Sequence, residues 1–295
     1  MDKQNWAPVK DDVLVDVRGL KTHFHTEAGT AKAVDGVDFQ IKKGEVFGVV
    51  GESGSGKSVT ALSLIGLIPN PPGEIVSGQA IFQGHDLLNM SFKDLYKIRG
   101  REIAMIFQEP MTSLNPVHTV GMQVKEIISN HKFVSPDRVF DHAVSMLEQV
   151  GIPDAAKRMG DYPHQFSGGM RQRVMIAIAL SCDPALLIAD EPTTALDVTI
   201  QAQILDLMML VKERRKEAAI MLITHDLAVV AETCHRVMVM YGGKIQEMAD
   251  IEPLFEEPLH PYTIGLLHSL PRPDLQTKKR LYNIPGTVPS IINLP

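Results

Sequence analysis

Glu45-Val-Phe-Gly-Val-Val-Gly51 runs directly into Glu52-Ser-Gly-Ser-Gly-Lys57-Ser58. The first half is a short apolar run ending in glycine, the pattern of a buried strand. The second half, counted from Gly51, completes G-x-x-x-x-G-K-[ST]. Val59, Leu62, Leu64 and Ile65 follow before Pro69, which predicts a helix over Lys57–Ile68. Glycines between a strand and a helix let successive backbone N–H groups turn inward as an anion nest. The helix N-terminus adds its dipole and free donors. The ligand this arrangement suits is a nucleotide polyphosphate. Gly51, Ser53, Gly54, Ser55, Gly56, Lys57, Ser58 and Val59 are the candidate cradle. Lys57 would reach the β- and γ-phosphates, and the Ser58 hydroxyl would bind Mg²⁺.

A second apolar run, Ala185-Leu-Leu-Ile-Ala189, ends on Asp190-Glu191. Side chains alternate along a strand, so the two acids point different ways. Asp190 is the candidate to hold Mg²⁺ through water. Glu191 is the candidate base for an attacking water. Further strands are predicted at Val13–Phe24, Glu102–Phe107, Ile220–Ile223 and Arg236–Met240. Helices are predicted at Arg138–Val150 and around Ile200, Ile204, Leu207, Met208 and Val211. Strands alternating with helices imply an α/β fold with a mostly parallel sheet.

Composition narrows the function. Across 295 residues, 44% are hydrophobic and 22% charged, a globular balance. The net charge of −6 argues against a broad basic nucleic-acid-binding face. No apolar stretch reaches the roughly 20 residues a spanning helix needs, and the N-terminus does not read as a secretory signal. The two cysteines, Cys182 and Cys234, form no CxxC and fit a reducing compartment.

Four further segments carry a resemblance. Phe166-Ser-Gly-Gly-Met-Arg-Gln-Arg173 resembles the signature motif of ATP-binding-cassette (ABC) ATPases. Gln108, in Ile106-Phe-Gln-Glu-Pro-Met-Thr-Ser-Leu-Asn-Pro116, resembles the glutamine of the Q-loop. Thr194-Ala-Leu-Asp197 resembles the D-loop, and His225 the switch histidine. They occur in the family's order around the phosphate loop and the carboxylate pair. The resemblance implies a P-loop NTPase core, an N-terminal antiparallel β subdomain and a helical signature subdomain. It makes ATP and Mg²⁺ the ligands. It makes Gln108 a sensor of metal and attacking water, His225 a holder of the γ-phosphate, and Asp197 a link across a dimer. It assigns Ser167, Gly168 and Gly169 to the nucleotide of an opposing subunit. Phe24 is the candidate aromatic that stacks on adenine, with His23 and His25 beside it.

Within the cassettes the chain is similar to ATPase subunits of dipeptide and oligopeptide importers. KAVDGVDFQIKKGE, YPHQFSGGM, IADEPTTALDVTIQAQI and LHPYT followed by PGTVPS carry that likeness over roughly residues 32–290. It implies a peripheral protein on the cytoplasmic face of the cell membrane, with two membrane-spanning permease subunits and, indirectly, an extracytoplasmic peptide-binding protein. Met170, where many cassettes have glutamine, suggests a paralogous second ATPase and hence a heterodimer. The expected organisation is an ATPase domain over 1–250, its helical subdomain over about 109–182, and a proline-rich extension over 251–295 that ends before a cysteine-rich module. Two cysteines far apart predict no metal cluster in this chain. The surface near Met111–Val117 is the expected docking point for a permease helix. The alternatives are the same role for nickel chelates or glutathione, a soluble cassette ATPase outside transport, or a non-catalytic regulatory cassette.

Overall fold

A computed structural model describes residues 10–108, 113–193, 198–269 and 291–292. In chain order the elements are β1 (Val13–Thr26), β2 (Gly29–Lys42), β3 (Val46–Val50), α1 (Lys57–Leu64), β4 (Gly73–Phe82), β5 (His85–Asp86), α2 (Phe92–Ile98) and β6 (Ile103–Ile106). There follow α3 (Val120–Asn130), α4 (Val139–Gln149), α5 (Ala155–Arg158), α6 (Gly168–Leu180), β7 (Leu186–Asp190), α7 (Val198–Arg214) and β8 (Ala219–Ile223). The last are α8 (Leu227–Thr233), β9 (Arg236–Tyr241), β10 (Lys244–Asp250), α9 (Ile251–Glu256) and α10 (Pro261–His268). Two compact units result, one within 1–91 and 224–295, the other within 92–223.

In the first unit, β2, β1, β4 and β5 form an antiparallel sheet in that order. Its register shifts at several points, one between Val17 and Leu20 of β1, where Gly19 takes φ +54°. Such bulges break strict alternation. β2 nonetheless alternates cleanly from Val37 to Lys42, with Val37, Phe39 and Ile41 buried, a strand signal in the sequence beyond the strands predicted above. In the same unit β3 pairs in parallel with β9, and β9 pairs antiparallel with β10. Every residue of β3 is buried. The Phe39 and Phe47 rings stack at 5.7 Å, and the Arg236 guanidinium lies over Phe47 at 5.3 Å. Arg236 also pairs with the Glu45 carboxylate at 3.1 Å, so a charge in the apolar region is compensated.

The helix after the glycine loop stops at Leu64, four residues short of Ile68. Gly66 takes φ +61°; its N–H donates to Ser63 and that of Leu67 to Leu62. This pair of bonds closes a helix in the Schellman manner, and glycine carries its left-handed residue without a Cβ penalty.

In the second unit β6, β7 and β8 are parallel, with β7 in the middle. All residues of β7 and β8 are buried. Unbroken apolar strands covered on both faces are the rule for parallel sheets. Each large side chain so buried contributes on the order of 1.5–3 kcal/mol. Packed helices supply the rest of this unit, with Val124, Ile128, Ala143, Leu147, Val174 and Ile176 in their core. Cys182 and Cys234 are buried, and burial pushes both thiols up to about 11. Among the described residues no helix is long and apolar enough to cross a membrane.

Candidate active site

The glycine loop sits between β3 and α1, as the sequence predicts. Gly51, Gly54 and Gly56 all have positive φ, at 147°, 78° and 103°. A Cβ on Gly51 would lie 2.1 Å from the Met240 carbonyl oxygen, and one on Gly56 would lie 2.3 Å from that of Ala33. Glycine is therefore required twice over, by conformation and by space. Gly51→Ala should strain the backbone by about 1–3 kcal/mol before any collision is counted. At roughly 2–4 °C per kcal/mol, a thermal melt should fall by several degrees, and an unchanged melting temperature would contradict this packing.

Lys57 is buried, and its ammonium donates to the carbonyls of Gly51 at 2.7 Å and Glu52 at 2.9 Å. The Thr60 N–H and hydroxyl both donate to the Gly56 carbonyl, at 2.8 and 2.9 Å. Ser53 and Gly54 are exposed at the mouth of the loop, and Ser58 and Val59 are half-buried. Ser55 is 3% exposed, and its hydroxyl has no hydrogen-bond partner among the described residues. A buried hydroxyl left unpaired in an anion nest is a mark of a ligand site.

His225 belongs to the same unit, on the turn from β8 into α8, and is exposed. Its neighbours fix that turn. The Thr224 N–H donates to Val49 at 3.2 Å, and the Thr224 hydroxyl accepts from the Asp226 N–H at 3.0 Å. Asp226 then caps α8 by accepting from the Ala228 and Val229 N–H groups. Phe24 lies half-buried near the end of β1, its ring edge 2.9 Å from where a Cβ on Gly73 would be.

In the second unit β7 ends at Asp190, which is 5% exposed, and Glu191 follows at φ +45°. A non-glycine residue there is strained, and such strain collects at functional sites. The Glu191 N–H donates to the Ile223 carbonyl at 2.9 Å. The Gln108 amide donates to a Glu191 carboxylate oxygen at 3.0 Å, so residues 83 positions apart meet. Gln172, buried in α6, donates to the Pro192 carbonyl at 2.6 Å and ties the signature helix to the turn after the acids. Sequence reading gave Gln172 no role; a polar residue on the buried face of a helix was its one signal. Ser167 caps α6 by accepting from the Met170 N–H, and Ser167 and Gly168 are exposed. A Cβ on Gly168 would meet nothing within 4 Å. That helix therefore presents an open N-terminus. Asp197 lies outside the described residues.

The ABC transporter family matches residues 34–194. The chain belongs to the ABC transporter family. The family described as oligopeptide/dipeptide transporter, C-terminal region, matches residues 246–295. A probable peptide ABC transporter ATP-binding protein of Sinorhizobium fredii is 54% identical over 282 residues, covering 96% of this chain and 84% of that protein. The dipeptide transport ATP-binding protein DppD of Escherichia coli is 50% identical, covering 96% and 85%. Among solved structures, the ATP-binding cassette MJ0796, in a dimer bound to ADP and Pi, shares 25% identity at a TM-score of 0.71 over 80% of this chain and 98% of its own. The expected α/β fold, an antiparallel N-terminal sheet with a parallel sheet and helices, is that of an ABC ATPase. The reading as an ATPase of the peptide-importer branch agrees with both matched families and with the relatives.

Proposed function

We propose that the chain hydrolyses ATP to energise uptake of dipeptides or oligopeptides. The observation that carries this reading is the Gln108–Glu191 hydrogen bond at a strained residue, alongside a complete phosphate loop in the same chain. Lys57 neutralises the β- and γ-phosphates, and the loop's N–H groups and Ser55 bind their oxygens. Ser58, Gln108 and Asp190 offer the all-oxygen donors that suit Mg²⁺, which when bound offsets charge on the phosphates. Glu191 accepts a proton from water as its oxygen bonds to the γ-phosphorus, and the bond to the ADP oxygen breaks. Gln108 orients that carboxylate, and His225 steadies the γ-phosphate. Phe24 is assigned to the adenine and Asp197 to the dimer link. Ser167, Gly168 and Gly169 are assigned to the nucleotide on a second, paralogous ATPase subunit.

Two permease subunits at the cytoplasmic face of the membrane complete the proposed machine, supplied by a peptide-binding protein outside. Their contact is assigned to the stretch around Met111–Val117. Met111 and Thr112 lie outside the described residues; Leu114 is buried, and Val117 is 73% exposed. Uptake of a labelled dipeptide and a labelled pentapeptide by cells lacking this chain tests the cargo. Restoring the wild-type chain, but not Lys57→Ala, should restore peptide uptake. Restored uptake of nickel or glutathione, with peptides unaffected, would contradict it.

A further inference from the structure

The Glu52 N–H, at the entry of the phosphate loop, donates to the Tyr262 hydroxyl at 3.2 Å. Tyr262 is the second residue of α10 and lies in the segment matched by the transporter C-terminal family, far along the chain from the loop. Its ring rests on that of Tyr241, with centroids 4.7 Å apart at 51°. Tyr241 ends β9, and the turn beyond it is the other wall of the loop. There the Gly243 N–H donates to the Ser55 carbonyl at 3.0 Å, and just before it on β9 the Met240 carbonyl fills the space a Cβ on Gly51 would need. Tyr262 thus touches both the loop's entry and the hairpin that backs it.

Tyr262 is itself held firmly. The Glu247 carboxylate on β10 accepts from the Leu259 N–H at 2.8 Å and the His260 N–H at 3.0 Å. His260 Nδ1 accepts from the Tyr262 N–H at 3.2 Å and caps the helix, with Pro261 in its first turn. Burial pushes the Tyr262 phenol up to about 12, so the group touching the loop is a neutral hydroxyl. The ring packs on Tyr241, and the hydroxyl accepts from the Glu52 N–H, so the two contacts can be removed separately.

We infer that Tyr262 is a positioning residue for the phosphate loop, through which the C-terminal segment sets how tightly the site holds ATP. With Glu52 anchored outward, the N–H groups that follow are pre-turned toward the phosphates, and ordering the loop is not charged against binding. The inference rests on the phosphate-loop reading above. It also gives the His260-Pro261-Tyr262 run a task in nucleotide handling.

Steady-state ATP hydrolysis by the full chain, assembled with its transporter, tests it at a temperature well below melting. Tyr262→Phe keeps the ring and deletes the hydroxyl. Losing one such bond should raise the KM for ATP about three- to tenfold, with kcat within about twofold. Tyr241→Phe, which keeps the ring contact, should leave both near wild type. A Tyr262→Phe enzyme with unchanged KM, or one whose kcat falls while KM holds, overturns the inference. Hydrogen exchange on the wild-type chain provides a second measure. The Glu52 amide should be protected without nucleotide, and a freely exchanging amide also overturns it. Lys57→Ala in the same assay separates the two readings. Normal ATP binding there would sink the phosphate-loop reading itself, whereas a defective Lys57→Ala beside a normal Tyr262→Phe sinks only the role of Tyr262.

Discussion

Glu191→Gln should bind ATP as tightly as the wild type and hydrolyse it roughly 10²–10⁴-fold more slowly, the usual loss when a general base is removed. The substitution is nearly isosteric. Glutamine at 191 still presents an oxygen to the Gln108 amide, now 3.0 Å from the carboxylate. The backbone at φ +45° is no harder for glutamine than for glutamate. What disappears is the basic carboxylate, so the loss belongs in kcat and not in binding. Retained hydrolysis, measured as phosphate release under saturating ATP, would remove Glu191 from this role. Weakened ATP binding would mean that the residue builds the site and does not act in it.

Lys57→Ala should show the opposite pattern. The ammonium is buried and hydrogen-bonded to two loop carbonyls, poised where phosphates would displace those contacts. Charge-assisted bonds contribute on the order of 1.5–3 kcal/mol, so ATP affinity should fall roughly tenfold to a hundredfold or more. Titration with a fluorescent ATP analogue reads this directly. An affinity within twofold of wild type would contradict the assignment. The pair separates two proposed roles: one residue holds the nucleotide, and the other turns it over.

Much of this was legible in the sequence because the chemistry is local. Gly51–Ser58 encodes its own turn, and the apolar run of β7 ends on Asp190 with Glu191 next to it. Buried parallel strands such as β8 read as plain apolar runs. β2 was legible too, since Val37, Phe39 and Ile41 alternate with polar residues; β4 was not, because its burial pattern does not alternate regularly. The helix after the loop is shorter than the sequence predicts because Gly66, and not Pro69, closes it. The prolines after Asp250 read as an appendage, yet α9 and α10 both begin there, with Pro253 and Pro261 in their first turns. Proline is well placed at a helix start, where its missing N–H costs nothing. Contacts such as Gln172 to Pro192 and Tyr262 to Glu52 join residues 20 and 210 positions apart. No local pattern specifies such partners; the fold brings them together.

The most direct test of the central claim measures ATP hydrolysis and peptide movement together. The chain is assembled in proteoliposomes with the permeases, second ATPase and binding protein proposed above, with ATP on the ATPase side and labelled peptide on the other. The account predicts that peptide accumulates in step with phosphate release, and that both collapse with Glu191→Gln while ATP remains bound. Peptide accumulation that persists in Glu191→Gln, or wild-type hydrolysis that moves no peptide, would contradict it.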